Sequence, residues 1–183
     1  MKAPIDKTSN QVNQDNIALL VIDVQQGLFE KFTPIYGADE LLQNINSLVD
    51  RAHNDNIPVF YIQHSDPRNL VKGSPSWKLH SQLQPLSIDN IVHKQHGNAF
   101  KETNLDEALR TKNVSRVVIT GLVSHGCVRA TCIGALNLGY RVILVKDGHS
   151  NYSKQALKII EELNQKLSEK KVDLKSTSEI VFI

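Results

Sequence analysis

One stretch, residues 116–139, constrains the fold more than any other part of the chain. It opens with a β-branched run, Val117–Thr120, whose length and composition are typical of a strand buried on both faces. Gly121 interrupts this run, and from Cys127 the apolar positions recur at helical spacing until Gly139, a residue type favoured just past a helix end. The stretch therefore predicts a strand, a sharp turn and a helix whose first turn carries a thiol.

The position of Cys127 makes it a candidate nucleophile. The unpaired N–H groups of a first helical turn and the positive end of the helix dipole favour a thiolate over a thiol. The alternative is a packed core residue, because free cysteines are among the most buried residue types. The second cysteine, Cys132, lies five positions along the same predicted helix and points in another direction, which excludes a disulfide framework and a cysteine-rich zinc site.

The rest of the chain alternates between apolar runs and amphipathic segments, which predicts a single doubly wound α/β domain over residues 17–183. Its core would be a six-stranded, mainly parallel sheet with helices on both faces. Strands are predicted at 17–23, 57–63, 91–94, 117–120, 140–145 and 179–183, with a Lys-Asp-Gly turn at 146–148 ending the fifth. Helices are predicted at 38–54, 127–138 and 153–169, and a further one is capped by Thr103 and ends at Thr111.

Two segments fall outside this alternation. Residues 1–16 are polar and lack the apolar core of a signal peptide, so we interpret them as a flexible leader of a cytoplasmic protein. Residues 64–86 form a long connection that contains three prolines and the single tryptophan. A loop of this length in a compact domain is usually functional.

Charge and hydropathy argue against two classes of partner, nucleic acids and membranes. The formal net charge is +2, and no cluster of lysine and arginine is interleaved with aromatic residues as nucleic-acid binding requires. No apolar stretch approaches the roughly 20 residues that span a membrane. The sequence therefore predicts neither a nucleic-acid partner nor a membrane span.

Three reactive side chains, Asp23, Lys94 and Cys127, lie at or just beyond the ends of three predicted strands. Ligands of doubly wound sheets bind outside the carboxyl ends of the strands. A thiol nucleophile needs a base, a carboxylate can serve as one, and a nearby cation stabilises the ionised pair. Taken singly, Asp23 is equally consistent with a cap and Lys94 with a solvated surface charge, but their coincidence at one sheet edge favours a catalytic triad.

Three motifs resemble the isochorismatase-like cysteine hydrolases, a family that includes nicotinamidases, N-carbamoylsarcosine amidases, ureidoacrylate hydrolases and streptothricin hydrolases. The motifs are LVIDVQQGLF at 20–29, VHKQHGNAF at 92–100 and ITGLVSHGCVRAT at 119–131. The resemblance extends over about residues 17–150. It implies an isochorismatase-like, Rossmann-like fold and hydrolysis of an amide, lactam or ureido C–N bond in a small molecule.

Carried over by motif, the resemblance implies that Cys127 is the nucleophile, Asp23 the general base and then acid, and Lys94 the cation that favours their charged forms. It implies a cis peptide bond between Leu122 and Val123, with the N–H groups of Val123 and Cys127 forming an oxyanion hole. The implied reaction is thiolate attack on a carbonyl, protonation of the leaving amine by Asp23, and hydrolysis of the thioester by water. The family also implies a homodimer or homotetramer.

The metal motif of the nicotinamidases is missing. Those relatives carry Asp-x-His and a further His after the second strand, whereas this chain has Gln-His-Ser-Asp at 63–66 and then His80. We therefore predict no metal and no cofactor, and interpret His64 and His80 as pocket or surface residues. Substrate contacts are expected from Phe29, Gln63, Trp77, Phe100 and His125, with a core role as the alternative for Trp77.

Two other functions stay open from the sequence. An isochorismatase that cleaves a vinyl ether by acid catalysis needs the carboxylate but not the thiol, so the presence of Cys127 argues against it. A non-catalytic binding or scaffold module would not need any of the three reactive side chains. No Gly-x-Gly-x-x-Gly motif follows the first strand, so nucleotide binding is not predicted.

Overall fold

The structure, a computed structural model, describes residues 16–152 and 154–182. The strands within these residues are β1 (Asn16–Ile22), β2 (Val59–His64), β3 (Asn90–Lys94), β4 (Val114–Leu122), β5 (Arg141–Ser150) and β6 (Asp173–Lys175). The α-helices are α1 (Gln26–Phe29), α2 (Ala38–Asn54), α3 (Leu105–Thr111), α4 (Arg129–Asn137) and α5 (Ala156–Ser168). A π-helical turn (Ser124–Val128) precedes α4, and a 3₁₀ helix (Thr177–Glu179) follows β6.

The strands form one sheet in the order β3-β2-β1-β4-β5-β6, and all neighbouring pairs are parallel. This confirms the predicted doubly wound α/β class. The chain builds outward from β1 to β3 on one side and from β4 to β6 on the other, so the direction of winding reverses between β1 and β4. Ligands bind at such a switch point, outside the carboxyl ends of the strands.

The sheet has a hydrophobic layer on each face, as a central parallel strand requires. Along β1, Ile17, Leu19 and Val21 face one cluster, which is formed mainly with α2. Ala18, Leu20 and Ile22 face the other cluster, which is formed with α3, α4 and α5. Because both faces of β1 are buried, its sequence is continuously apolar rather than alternating.

The predicted bounds agree with the structure for α2 and nearly so for β1, β2, β3 and α3. The helix α1 was not predicted. The predicted leader lies outside the described residues except for Asn16, which opens β1. Within the described residues, no helix has both the length and the apolar character that crossing a bilayer would require.

The predicted turn at 146–148 is wrong as an end of the fifth strand, because β5 continues to Ser150. The pairing with β4 shifts from Ile119–Leu144 to Gly121–His149, so the intervening residues bulge out of the ladder. The bulge is held by the Thr120 hydroxyl, which donates to the carbonyl of Gly148. The Lys-Asp-Gly sequence therefore forms a bulge within β5 and does not end the strand.

The predicted sixth strand at 179–183 is also wrong. Strand β6 lies earlier, at Asp173–Lys175, where it pairs with β5. Ile180 and Phe182 are buried in the α2 layer without forming a strand. The guanidinium of Arg51 donates to the carbonyls of Ile180 and Thr177, at 3.0 and 2.6 Å, so these backbone acceptors are satisfied without a ladder.

Candidate active site

Three strand ends bring the predicted triad together. Asp23 directly follows β1, Lys94 is the last residue of β3, and Cys127 lies in the turn after β4. The ammonium of Lys94 donates to Oδ2 of Asp23 at 2.7 Å, and both residues are only 2% exposed. The sulfur of Cys127 lies within 4.8 Å of an Asp23 carboxylate oxygen. An acid, an amine and a thiol therefore share one site at the carboxyl edge of the sheet.

Two backbone positions place Asp23 beside the turn that carries Cys127, residues 124–128. Asp23 has a left-handed conformation with φ of 50°, and its N–H donates to the carbonyl of Ile62 on β2 at 2.9 Å. Gly121 has φ of 118°, and a Cβ at this position would overlap the backbone of Ile22. Only glycine allows β4 to approach β1 so closely. This close approach places the turn after β4 next to Asp23.

The predicted helix begins later than expected. Residues 124–128 form the π-helical turn, and α4 starts only at Arg129 and ends at Asn137. Gly139 follows with φ of 88°, as predicted for a residue past a helix end. Cys127 therefore lies in a separate turn before the helix rather than in its first turn.

The turn closes around Val123. The carbonyl of Val123 accepts the N–H groups of Gly126 and Val128, at 3.0 and 3.3 Å. The peptide bond between Leu122 and Val123 is cis, as predicted. The oxyanion role of the Val123 and Cys127 N–H groups remains a prediction.

A buried hydrogen-bond chain, which the sequence did not reveal, holds this turn from behind. The Ser124 hydroxyl lies 2.9 Å from both the carbonyl oxygen of Ser150 and Nδ1 of His149. Nε2 of His149 in turn lies 2.9 Å from Oδ1 of Asn164 on α5. Burial lowers the pKa of His149 to about 4, so this imidazole is neutral at physiological pH. These hydrogen bonds link the turn that carries Cys127 to β5 and α5.

The electrostatics of the site favour a protonated thiol. Burial first, and then the charge of Asp23, raise the pKa of Cys127 to about 12, although the Lys94 ammonium opposes both. Desolvation and the neighbouring carboxylate thus act against the thiolate that a helix terminus was expected to favour. Oδ1 of Asp23 is buried and has no hydrogen-bond partner among the described residues. This oxygen is free to accept the thiol proton.

His64 also belongs to this site, although the sequence suggested only a pocket or surface position. Its Nδ1 lies 3.2 Å from the ammonium of Lys94, and one of its ring nitrogens lies within 4.8 Å of both the Asp23 carboxylate and the Cys127 sulfur. Burial lowers the pKa of His64, and the Lys94 charge lowers it further. The register of β2 and β3, which pairs His64 directly with Lys94, is the signal that would have shown this contact.

Gln25 holds the backbone around His64 and is completely buried. Its side-chain NH₂ donates to the carbonyls of His64 and Trp77, at 2.9 and 2.7 Å, and its Oε1 accepts the His64 N–H at 2.8 Å. The Gln25 side-chain amide therefore connects the start of α1 to the end of β2 and to the long loop.

Two of the predicted substrate contacts, Gln63 and Trp77, lie against each other. The Gln63 amide donates to the Trp77 carbonyl at 3.2 Å. The indole packs against the ring of His93 with centroids 5.1 Å apart, and its Nε1 is buried without a partner among the described residues. A contact of either residue with substrate remains a prediction.

The other three predicted contacts have the following neighbours. Phe29 packs on His80 with ring centroids 4.4 Å apart, and Phe100 stacks on Tyr140 at 5.7 Å in the layer of α3 to α5. Exposed His125 hydrogen-bonds the side chain of Asn151. These contacts link the three residues to the core and to the loop after β5, and their substrate roles remain predictions.

A polar cavity of about 170 Å³ adjoins the carboxyl end of β3, lined by Ser65, Lys72, His93, Lys94, Gln95, His96 and Glu102. A larger cavity, about 610 Å³, lies at the opposite end of the strands, where Asn16, Pro58 and Val114 line it. The larger cavity is separated from the triad by the length of the sheet, so we assign the chemistry to the carboxyl edge.

Asp23, His64 and Cys127 offer an oxygen, a nitrogen and a sulfur, the donor types that bind transition metals. The Lys94 ammonium, however, lies 2.7 Å from the carboxylate and 3.2 Å from the imidazole. A dication would have to displace this cation and remove the thiol proton. The arrangement therefore fits an ammonium better than a metal ion.

The comparisons with known proteins agree with this fold. The isochorismatase domain profile matches residues 17–168. The chain belongs to the isochorismatase family.

Two relatives illustrate the extent of the sequence similarity. A streptothricin hydrolase of Streptomyces noursei is 31% identical over 137 residues, which cover 74% of this chain and 54% of the relative. A maleamate amidohydrolase of Pseudomonas putida is 26% identical over 149 residues, covering 71% of this chain and 70% of the relative. The chain thus spans only about half the length of the streptothricin hydrolases that it matches.

The fold has close counterparts among solved structures. The crystal structure of an isochorismatase from Pseudomonas putida superposes with a TM-score of 0.83 at 24% identity, covering 91% of both chains. At this identity the likeness establishes the fold alone.

Proposed function

We propose that this protein is a cysteine-dependent hydrolase that cleaves a C–N bond of a small amide, lactam or ureido compound through a thioester. One observation carries the proposal: the Cys127 sulfur lies within 4.8 Å of a buried carboxylate whose Oδ1 has no hydrogen-bond partner among the described residues and whose Oδ2 is paired with an ammonium. A thiol with a raised pKa needs a neighbouring base at the moment of attack, and this geometry supplies one.

The reaction would begin as Cys127 attacks the substrate carbonyl carbon and its proton passes to Oδ1 of Asp23. The carbonyl oxygen becomes an oxyanion, which the N–H groups of Val123 and Cys127 would stabilise. Collapse then breaks the C–N bond, and Asp23 returns the proton to the leaving amine.

The resulting thioester would be hydrolysed in the second half of the reaction. Asp23 takes a proton from water as the water attacks the thioester carbonyl, and the proton then returns to the departing sulfur. The products are a carboxylic acid and an amine, and the free thiol is regenerated. Lys94 keeps its charge throughout and stabilises whichever of the carboxylate and the thiolate is ionised.

Two relatives support this substrate class, because their names describe hydrolysis of streptothricin and of maleamate.

The test is a panel of small amides, lactams and ureides, with release of amine or ammonia as the readout. We expect turnover by the native chain and its loss, at least 1000-fold, in Cys127→Ala. The matched control is Cys132→Ala, which removes the buried cysteine of α4 and should leave turnover of the folded protein intact.

Two outcomes would point to the other functions. If Cys127→Ala still cleaved a vinyl ether while Asp23→Asn did not, the chemistry would be that of acid-catalysed isochorismatase. If the native chain turned over neither substrate class, the hydrolase proposal would be wrong and a binding role would be favoured.

A further inference from the structure

His64 is the part of this site to which the proposed reaction gives no role. It ends β2, pairs in register with Lys94 on β3, and places Nδ1 3.2 Å from the Lys94 ammonium. A residue opposite another on a neighbouring parallel strand has its side chain on the same face of the sheet. The contact is therefore built into the strand register.

Besides the Cys127 sulfur, three oxygen or nitrogen acceptors surround the Lys94 ammonium within the described residues. These are Oδ2 of Asp23 at 2.7 Å, the carbonyl oxygen of His96 at 3.2 Å and Nδ1 of His64 at 3.2 Å. An ammonium only donates, so Nδ1 of His64 must accept, and the neutral imidazole carries its hydrogen on Nε2. The imidazole is thus one of the acceptors of a fully buried cation.

The position of the imidazole is fixed independently of Lys94. Both the N–H and the carbonyl of His64 are hydrogen-bonded by the completely buried Gln25 side chain. The titratable groups that face the ring are Lys94 on β3, Asp23 after β1, Asp66 in the long loop and Cys127 in the turn after β4. Burial and the Lys94 charge keep the ring neutral, which maintains its acceptor.

We propose that His64 is a positioning residue of the triad, whose Nδ1 holds the Lys94 ammonium between the Asp23 carboxylate and the Cys127 sulfur. This inference rests on the proposed function for its catalytic meaning. Without this acceptor, the buried ammonium would have to move toward another partner, and the thiolate would lose the cation that stabilises it. A hydrogen bond to a charged group is strong enough to change a rate by one to two orders of magnitude.

The test uses His64→Asn and His64→Leu. Asparagine places an oxygen near the position of Nδ1 and cannot become charged, whereas leucine fills similar space without an acceptor. At pH 7.5 we expect the iodoacetamide rate of Cys127 to fall about tenfold or more in His64→Leu, with its pH midpoint moved upward. His64→Asn should stay within about threefold of the native rate.

The control is His53→Leu, which removes a partly buried histidine paired with Asp89, on α2 at the opposite end of the sheet. It should alkylate at the native rate, and circular dichroism should show each variant folded. Equal impairment of the Asn and Leu variants, or a native rate in His64→Leu, would overturn the inference.

Turnover separates this inference from the proposed function. On any amide that the native chain hydrolyses, His64→Leu should lower kcat by about 10- to 100-fold with little change in KM. A native chain that hydrolyses no amide would contradict the proposed function, while the alkylation rates would still decide the role of His64.

Discussion

Replacing Asp23 by Asn separates the charge of the carboxylate from its shape. Asparagine is the best substitute because Asp23 has a left-handed backbone conformation, which Asn tolerates better than most residues. Its side-chain oxygen can still accept from Lys94. The substitution therefore removes one negative charge from beside the Cys127 sulfur and also removes the proposed proton acceptor.

The size of the effect follows from the distance. Two unit charges no more than 4.8 Å apart interact by at least about 3.5 kcal/mol at an effective dielectric constant of about 20. Without the carboxylate, the pKa of Cys127 should fall from about 12 by roughly 2.5 units. At pH 8 the thiolate fraction would rise about 300-fold, and the lower basicity would reduce its intrinsic nucleophilicity about 13-fold. The net expectation is alkylation about 20- to 30-fold faster.

The assay is iodoacetamide labelling from pH 6 to 10, followed by peptide mass spectrometry. Cys132 is an internal control, since burial raises its pKa to about 12 and its reactivity should be the same in both proteins. Amide turnover should fall at least 100-fold in the same variant, because no base then receives the proton in catalysis. Unchanged or slower labelling of Cys127 in Asp23→Asn would refute the electrostatic reasoning.

Three further predictions follow from the same geometry. Lys94→Met leaves the buried Asp23 carboxylate without a cation, so the free energy of unfolding measured by urea titration should fall by about 3–5 kcal/mol. Adding Asp23→Asn to the same variant should recover part of this loss. Gly121→Ala should destabilise the fold by about 3 kcal/mol or more, because its φ is positive and the new Cβ overlaps the backbone of Ile22; a melting temperature within 2 °C of native would contradict this. EDTA should leave turnover within about twofold of the untreated rate, and a loss that added Zn²⁺ restores would show that the Asp23, His64 and Cys127 donors hold a metal after all.

The sequence was informative where a local pattern decides the outcome. The apolar strands, the period of α2 and the three reactive positions follow from short-range signals, and the parallel sheet follows from their alternation. The resemblance added the cis bond between Leu122 and Val123, which composition and spacing do not show.

The errors occurred where long-range contacts decide. The Lys-Asp-Gly signal forms a bulge because Thr120 on β4 holds Gly148. In the C-terminal apolar run, Ile180 and Phe182 are buried without strand pairing, and Arg51 satisfies the Ile180 carbonyl. His64 was interpreted only as a pocket or surface residue and His149 was given no role, because their partners are 30 and 25 residues away along the chain. The raised pKa of Cys127 also depends on burial that no local pattern reports.

The order of the strands has a consequence for how this protein loses activity. Lys94 comes from β3, the outermost strand on its side, while Asp23 and Cys127 follow the two central strands. Fraying of an outer strand costs far less free energy than melting the molecule. Heat or denaturant would thus separate Lys94 from Asp23 and Cys127 first. The protein would then be inactive while its spectroscopic signature is still that of the native state.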